Sequence, residues 1–415
     1  MKNCVVIGGG IIGLSSAYFL QKAGHKVTVI DQGNMDGGAS YVNAGYLTPS
    51  HIIPLAAPGV MKQGLKWMLS QSSPLYIKPR LNKDLIQWTL AFNKSCNAAH
   101  VQKSMAAIRD INLLSRDLYV DIKQEEGFSF QLEKKGLFML CQTHKKMEGE
   151  EQVIKEAQRL GLECKMMDAP EIKKMMPDAK MSIVGGSFYE CDYHTTPHEF
   201  MEEMKTLLKS RGVIILTNEK VLDFEVNSGK ITSVKTEKKE ALKADEFILA
   251  AGAWTPFVAK KLGIRILLQA GKGYRINTTQ KTGITYPSIL METKVAATPM
   301  NGFTRFAGTM EIAEINEKIN PIRVDAIAQG AQSFFPEVCL TAKEKQDVKS
   351  GLRPVTPDGL PYIGKSTKCP NLTFATGHAM MGWSLGPGTG LLVSELVAGR
   401  KPSLDLSVYR PERKF

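Results

Sequence analysis

"VVIGGGIIGLSSAYFLQKAGHKVTVID", residues 5–31, decides the fold. Residues 4–7 are apolar and β-prone, and read as a strand. Gly8-x-Gly10-x-x-Gly13 follows at once. Leu14, Ala17, Tyr18 and Leu20 then recur at helical spacing, and Gly24 closes the helix. Residues 26–30 form a second apolar strand with Asp31 at its tip. In this βαβ unit Gly8 allows the tight turn, Gly10 leaves room for a pyrophosphate, and Gly13 lets the helix pack close to the strand. The helix N-terminus, with the N–H groups of Ile11 and Ile12, offers donors and partial positive charge to phosphates. Asp31 lies at the spacing from which an acid accepts from ribose hydroxyls. The stretch predicts a dinucleotide site. It does not choose between NAD and FAD.

The chain has 415 residues, room for two or three domains. Its 43% hydrophobic content reads as soluble and globular. A strand that begins almost at Met1 leaves no room for a signal peptide, so a cytoplasmic setting is expected. The seven cysteines form no CxxC pair, and the seven histidines form no ligand cluster, so no disulfide framework and no metal are expected. A net charge of +12 would suit acidic partners, but no nucleic-acid motif accompanies it, and a solvated lysine-rich surface is the simpler reading.

Further along, residues 37–58 read as an ordered loop, and 63–69, 81–92, 101–125 and 146–160 as helices. Residues 135–141 read as a strand, and 184–194 as a strand leading to a helix that starts near Thr196 and Pro197. Strands are expected at 213–216, 220–226, 231–236 and 246–250, and again at 272–277, 289–292 and 305–312. The nucleotide pattern therefore returns in pieces, with a more antiparallel segment between. The expected fold is α/β. A nucleotide domain from residues 1–50, 195–262 and 350–415 carries an α+β substrate domain from 51–194 and 263–349, with a mainly antiparallel sheet.

"TGHAMMGWSLGPGTGLLVSELVAG", residues 376–399, supplies a second glycine-rich approach to a helix, expected from about 389 to 397. Such an end could donate N–H groups to an anion, in a flavoenzyme the flavin N1–C2=O region. Together with "SYVNAGYLTP" (40–49), "AAPGV" (56–60), "LAAGAWT" (249–255), "KGY" (272–274), "AGTMEI" (307–312) and "GLRPVTPDGLPYIG" (351–364), it makes the chain resemble the D-amino-acid dehydrogenase branch of the FAD-dependent amine oxidoreductases. That superfamily includes glycine oxidase, sarcosine oxidase and D-amino-acid oxidase.

The resemblance implies FAD in a Rossmann-like domain and oxidation of a D-amino or cyclic imino acid. It implies that Gly8, Gly10 and Gly13 hold the pyrophosphate, with Asp31 where relatives usually carry Glu. Ser40, Asn43, Ala44 and Gly45 would pass along the flavin. Val221 would lie on the adenine side, and Gly252 would line the cofactor. Gly377, His378, Met381, Gly382 and Trp383 would surround the isoalloxazine. Arg353 in "GLRP" matches the arginine that clamps the substrate carboxylate. A guanidinium does this with two parallel charge-assisted bonds. Tyr274 is a candidate second carboxylate donor. His378 and His194 are candidates to touch substrate or flavin, though a structural histidine is the simpler reading of each. Met310, Tyr46 and His51 are candidates to line the substrate pocket. No cysteine stands in "RPVTPDG", so FAD is expected to be non-covalent.

The expected reaction is hydride transfer from Cα to flavin N5, giving an imine that water converts to a 2-oxo acid and ammonia. A D-proline or hydroxy-D-proline dehydrogenase giving a cyclic imine is the alternative, as is a glycine-oxidase-like amine oxidase. Outside this chemistry stand a non-catalytic FAD-binding subunit and a nicotinamide dehydrogenase. "GHAMMGWSLG" offers Met380 where related oxidases often place an arginine or other polar residue, so a quinone or other non-oxygen acceptor is expected; Lys272 would weaken this if it stood near N5. "GVMKQGLKWMLSQSSPLYI" (59–77) would suit a peripheral contact with the inner face of a membrane, and ordinary helix packing equally.

Overall fold

The computed structural model describes all residues except 61–72, 74, 79, 81 and 240. The expected helix at 63–69 and most of the membrane-contact stretch 59–77 fall outside the described residues.

Two large sheets organise the chain. The first has six strands, in the order Ile214–Leu216, Lys26–Ile30, Asn3–Ile7, Glu246–Leu249, Leu372–Thr376 and Tyr362–Lys365. The first five run parallel and the last antiparallel. Their near-continuous apolar runs follow from burial on both faces. The first helix, Ile11–Lys22, packs against the C-terminal helix Gly386–Val397, which in turn packs on the long helix Ala98–Glu125. Glycines permit that sandwich. A Cβ on Gly390 would stand 2.5 Å from the Ser15 backbone, and one on Gly388 would stand 2.9 Å from Ser115 Cβ.

The second sheet has nine strands. Lys349–Val355 forms one edge, followed by Gln269–Thr278, Phe303–Ile312, Val295–Met300, Ser288–Leu290, Leu137–Cys141, Gly185–Tyr189 and Cys164–Asp168, while Leu75–Ile77 pairs with Phe303–Ile312. Most pairs are antiparallel; Ser288–Leu290 runs parallel to Leu137–Cys141, and Leu75–Ile77 to its partner. The helix Pro321–Phe334 covers one face through Val324, Ile327 and Ala331.

Lys349–Val355 belongs to this sheet, although residues from 350 onward are grouped by the sequence pattern with the nucleotide segments. The chain crosses to the six-stranded sheet only at Tyr362–Lys365. The expected strand at 184–194 is two, Gly185–Tyr189 and Tyr193–Thr195, and the second joins a small sheet with Tyr46–Leu47 and Leu132–Glu133. Among the described residues, no helix is long and apolar enough to cross a membrane.

Candidate active site

The glycine loop is built as its sequence requires. Gly8 has φ +110°, and a Cβ there would stand 2.4 Å from the Ala250 carbonyl oxygen. A Cβ on Gly13 would stand 1.8 Å from the Gly8 oxygen. Gly10 meets only Ser40 Oγ, at 3.2 Å, so its open side is the cradle a phosphate would fill. Asp31 is already engaged. Gly9 N–H donates to its Oδ2 at 2.6 Å and Gly33 N–H to its Oδ1 at 2.8 Å. The shorter acid therefore shapes the loop directly, and its carboxylate oxygens keep lone pairs for a ribose. Ser40 Oγ accepts from Ile11 N–H at 2.9 Å, which leaves the N–H groups of Gly10, Ile12 and Gly13 without an acceptor among the described residues. Val221 starts a strand beside this end and packs with Ile30. Gly252, at φ +54°, has open space where a side chain would be.

Residues 39–45 run from the loop toward the large sheet and are held from several sides. Gly45 N–H donates to Asn43 Oδ1, and Thr298 Oγ1 donates to the Ala44 carbonyl. Buried Arg305 donates to the carbonyls of Tyr41 and Asn43 at 2.9 and 2.7 Å. Burial, with Arg275 nearby, holds Arg305 down at about 9. Gly45 packs on Thr195, whose N–H and Oγ1 both donate to the Gly45 carbonyl. Trp383 Nε1 donates to Thr195 Oγ1 at 2.9 Å, while Tyr119 OH holds the Trp383 carbonyl. Trp383 is thus a buried clamp on the segment expected to pass along the flavin.

The second helix N-terminus differs from expectation. Gly386 N–H donates to the Trp383 carbonyl and Gly388 N–H to Ser115 Oγ, so those donors are spent. One turn earlier, the N–H groups of Gly382, Trp383 and Ser384 have no acceptor among the described residues. Gly382 has room beside it, with His378 Cβ the nearest atom at 3.5 Å. Gly377, at φ +81°, packs on Thr356 and Tyr362. Met381 packs toward the long helix, its sulfur 4.0 Å from Asn112 Nδ2. His378 is fully buried, bonds Thr389 Oγ1 through Nε2 at 2.9 Å, and is pushed down to about 3 by burial. It anchors the C-terminal helix.

Arg353 rises from the edge strand Lys349–Val355 and lies flat across Gly273. A Cβ on Gly273 would stand 2.1 Å from Arg353 Nη1 and 2.4 Å from its Cζ. Among the described residues the guanidinium makes one hydrogen bond, Nη1 to the Thr309 carbonyl at 2.8 Å. No acidic side chain pairs with it among the described residues, and burial alone lowers it to about 10. Two residues back on the same strand, a Cβ on Gly351 would stand 2.9 Å from Ala39 Cα. The arginine's strand therefore passes directly against the 39–45 segment. Thr309 adopts φ +58°, a conformation that β-branched residues rarely hold.

Tyr274 and Lys272 point to the other face, because side chains alternate along Gln269–Thr278. Tyr274 OH donates to Glu311 at 3.2 Å beneath the helix Pro321–Phe334, and Lys272 Nζ donates to Asn316 Oδ1 and the Lys318 carbonyl. Neither joins Arg353. Met310 packs with Val355, Trp88 and Ala379. Tyr46 OH is committed to the carbonyls of Ser288 and Ala297. His194 is buried and held down to about 4 by burial. His51 is partly open, and it bonds Ser50 Oγ at 3.1 Å.

Arg305, Thr298, Thr195 and Gly273 are not among the site residues that the sequence singles out. The Gly271-x-Gly273 pair inside an alternating strand was the available signal, since such glycines mark a close approach.

A family model described as FAD dependent oxidoreductase matches residues 3–396. D-amino acid dehydrogenase of Vibrio vulnificus (strain CMCP6) is 32% identical, covering 98% of this chain and 99% of that protein. D-amino acid dehydrogenase of Helicobacter pylori is 34% identical, covering 95% and 94%. Among solved structures, glycine oxidase from Geobacillus kaustophilus superposes with a TM-score of 0.79 at 20% identity, covering 100% and 99%. L-proline dehydrogenase from P. horikoshii gives 0.75 at 20% identity, covering 99% and 96%. The glycine cradle with its unspent N–H groups, the clamped 39–45 segment and the full-length match agree: the chain belongs to the FAD-dependent oxidoreductases.

Proposed function

We propose that the protein oxidises the Cα–N bond of D-amino acids and passes the electrons to a quinone or other non-oxygen acceptor. The observation that carries this is Arg353, a half-buried guanidinium with no acidic partner among the described residues, laid over Gly273 on a strand that abuts residues 39–45. A partly desolvated cation without a counter-ion gains when an anion arrives to meet it. A substrate carboxylate is such an anion, and the guanidinium fork matches it. Bound FAD would supply the acceptor for the hydride of Cα. Gly10, Ile12 and Gly13 would hold its pyrophosphate, Asp31 its ribose, and Gly382, Trp383 and Ser384 its flavin carbonyl. Arg353 fixes the carboxylate, and with it the direction of the Cα–H bond.

The acceptor reading rests on the cations near the flavin-side loops. His378 is held neutral, Met380 is exposed, and Lys272 is spent on the opposite face of the sheet. Nothing in residues 376–384 would stabilise superoxide as it forms. A panel of D-amino acids, L-amino acids, D-proline and hydroxy-D-proline with a dye acceptor tests the substrate, and stopped-flow reoxidation tests the acceptor. D-selective flavin reduction is expected, with reoxidation by oxygen much slower than dye turnover. No reduction by any member of the panel would refute the substrate class. Oxygen reoxidation as fast as dye turnover would make the protein an oxidase.

A further inference from the structure

The oxidation proposed above, on which this inference rests, needs a neutral amine. An α-amino acid arrives at neutral pH as an ammonium, so one proton must leave first. The segment after the 39–45 loop supplies an acceptor. Its start is tied to the flavin-side turn, where Thr48 N–H donates to Ser384 Oγ at 2.9 Å. Its end, Ala56, packs with Met310, Val355 and Ala379 at the end of the Arg353 strand. His51 lies between these two anchored points in the chain, with Ser50 and Lys294 as its neighbours.

Behind His51 runs a hydrogen-bonded chain. Ser50 N–H donates to Asp192 Oδ1 at 3.0 Å, and Ser50 Oγ–H donates to Asp192 Oδ2. Ser50 and Asp192 are both buried, Asp192 completely. With its proton committed to Asp192, Ser50 Oγ can only accept from His51 Nδ1, 3.1 Å away. That fixes the Nδ1–H tautomer and leaves the Nε2 lone pair outward. Among the described residues the His51 ring makes its hydrogen bond through Nδ1, and none through Nε2.

We propose that His51 Nε2 accepts the ammonium proton of the substrate, and that Ser50 and Asp192 relay the charge inward. The substrate N–H bond breaks as Nε2–H forms. The Nδ1 proton passes to Ser50 Oγ, and the Ser50 proton passes to the Asp192 carboxylate. The amine and Asp192 both end neutral, and no electrons move. Asp192 is suited to store the proton. Burial pushes it up to about 7, against hydrogen bonds from Ser50 and Cys191 and the charge of Arg116 on the long helix. Cys164 and Tyr189 are its other titratable neighbours. Burial, with Lys294 beside it, holds His51 down at about 4, so the proton does not rest on the imidazole. In this scheme His51 touches the substrate, while Ser50 and Asp192 are positioning residues.

The test is the pH profile of kcat/KM for the FAD-loaded wild type, Asp192→Asn and His51→Gln. Asp192→Asn keeps an oxygen for Ser50 but cannot take the proton. The wild-type profile should rise through about pH 7, set by Asp192. In both variants that limb should move up to the amine's own titration, with kcat/KM at neutral pH lower on the order of 100-fold and recovering at high pH. A purely structural role would lower kcat/KM equally at every pH. Should Asp192→Asn fail to fold, His51→Gln still decides, because His51 is partly open. Superimposed profiles would overturn the relay. A readout without substrate separates this from failure of the substrate reading. Difference infrared titration should show a buried carboxyl C=O band appearing below about pH 7 and missing in Asp192→Asn. Its absence from the wild type would also overturn the relay. If no D-amino or cyclic imino acid reduces the flavin, the substrate reading fails, while the infrared titration still decides whether Asp192 stores a proton.

Discussion

Two sets of glycines make the two halves of the site, and they work differently. Gly8, Gly10 and Gly13 fall within six residues of one another and shape a single turn between a strand and a helix. Gly273 and Gly351 sit on two neighbouring strands, and a Cβ on either would collide with a group it must admit, the Arg353 guanidinium or the 39–45 backbone. The first set leaves space for a cofactor, and the second leaves space for the protein's own arginine. A local motif can be read along the chain. A void assembled by strand pairing exists only once the pairing does.

The first set can be split by two substitutions. Gly13→Ala puts a Cβ 1.8 Å from a backbone oxygen that cannot yield, so loss of soluble, folded protein is expected, a destabilisation above ~4 kcal/mol. A Cβ on Gly10 would meet only Ser40 Oγ, at 3.2 Å, so in Gly10→Val the fold should survive while FAD is lost. Thermal melts and flavin absorbance of the two variants measure this. Equal effects would mean the cradle is structural throughout.

The second set should fail without losing the cofactor. Arg353→Lys loses the fork, and Gly273→Ala displaces it. Each should cost kcat/KM about 2–4 kcal/mol with a near-normal flavin spectrum. Normal kinetics in Gly273→Ala would show that the guanidinium does not need its present place.

His378 separates support from chemistry. The unfolded chain protonates this imidazole near pH 6.5 and the folded chain only near 3. Stability is therefore complete above that window and drains as the pH falls through it, by about 1.4 kcal/mol per unit. His378→Gln should flatten that slope in denaturant titrations at pH 4.5–7, with kcat/KM near wild type at neutral pH. The smallest effect is expected at Tyr274. Tyr274→Phe gives up one hydrogen bond to Glu311, on the order of 1 kcal/mol of stability, and kcat/KM should stay within about threefold. A large kinetic loss there would bring Tyr274 back into the carboxylate site.

The nucleotide end and the fold class were legible because their signals are local: apolar runs, glycines in register and an acid at the strand tip. Arg353 could be named as a candidate from its motif. Its neighbours were not, because strand alternation sends Tyr274 and Lys272 to the opposite face, although both are adjacent to Gly273 in sequence. The glycine-rich stretch before Gly386–Val397 was legible as a helix approach. Its function was not, because Gly388 and Gly390 are consumed by packing against Ser115 and Ser15, far away in the chain. Asp192 carries no motif, and only the contact with Ser50 reveals it.

The strand order of the six-stranded sheet has a consequence for how the chain is made. Asn3–Ile7 lies between Lys26–Ile30 and Glu246–Leu249, and the latter waits for Leu372–Thr376. The edge of the second sheet, Lys349–Val355, emerges nearly as late. On a ribosome adding residues one at a time, the first βαβ unit is complete within seconds, yet its inner strand keeps an unpaired side while more than 200 further residues are added. Neither sheet can close before translation is almost over. Such long-range pairing folds slowly, and an open strand edge invites pairing with other chains. That open edge lasts through most of synthesis, a consequence of the same discontinuity that brings the strand of Arg353 against residues 39–45.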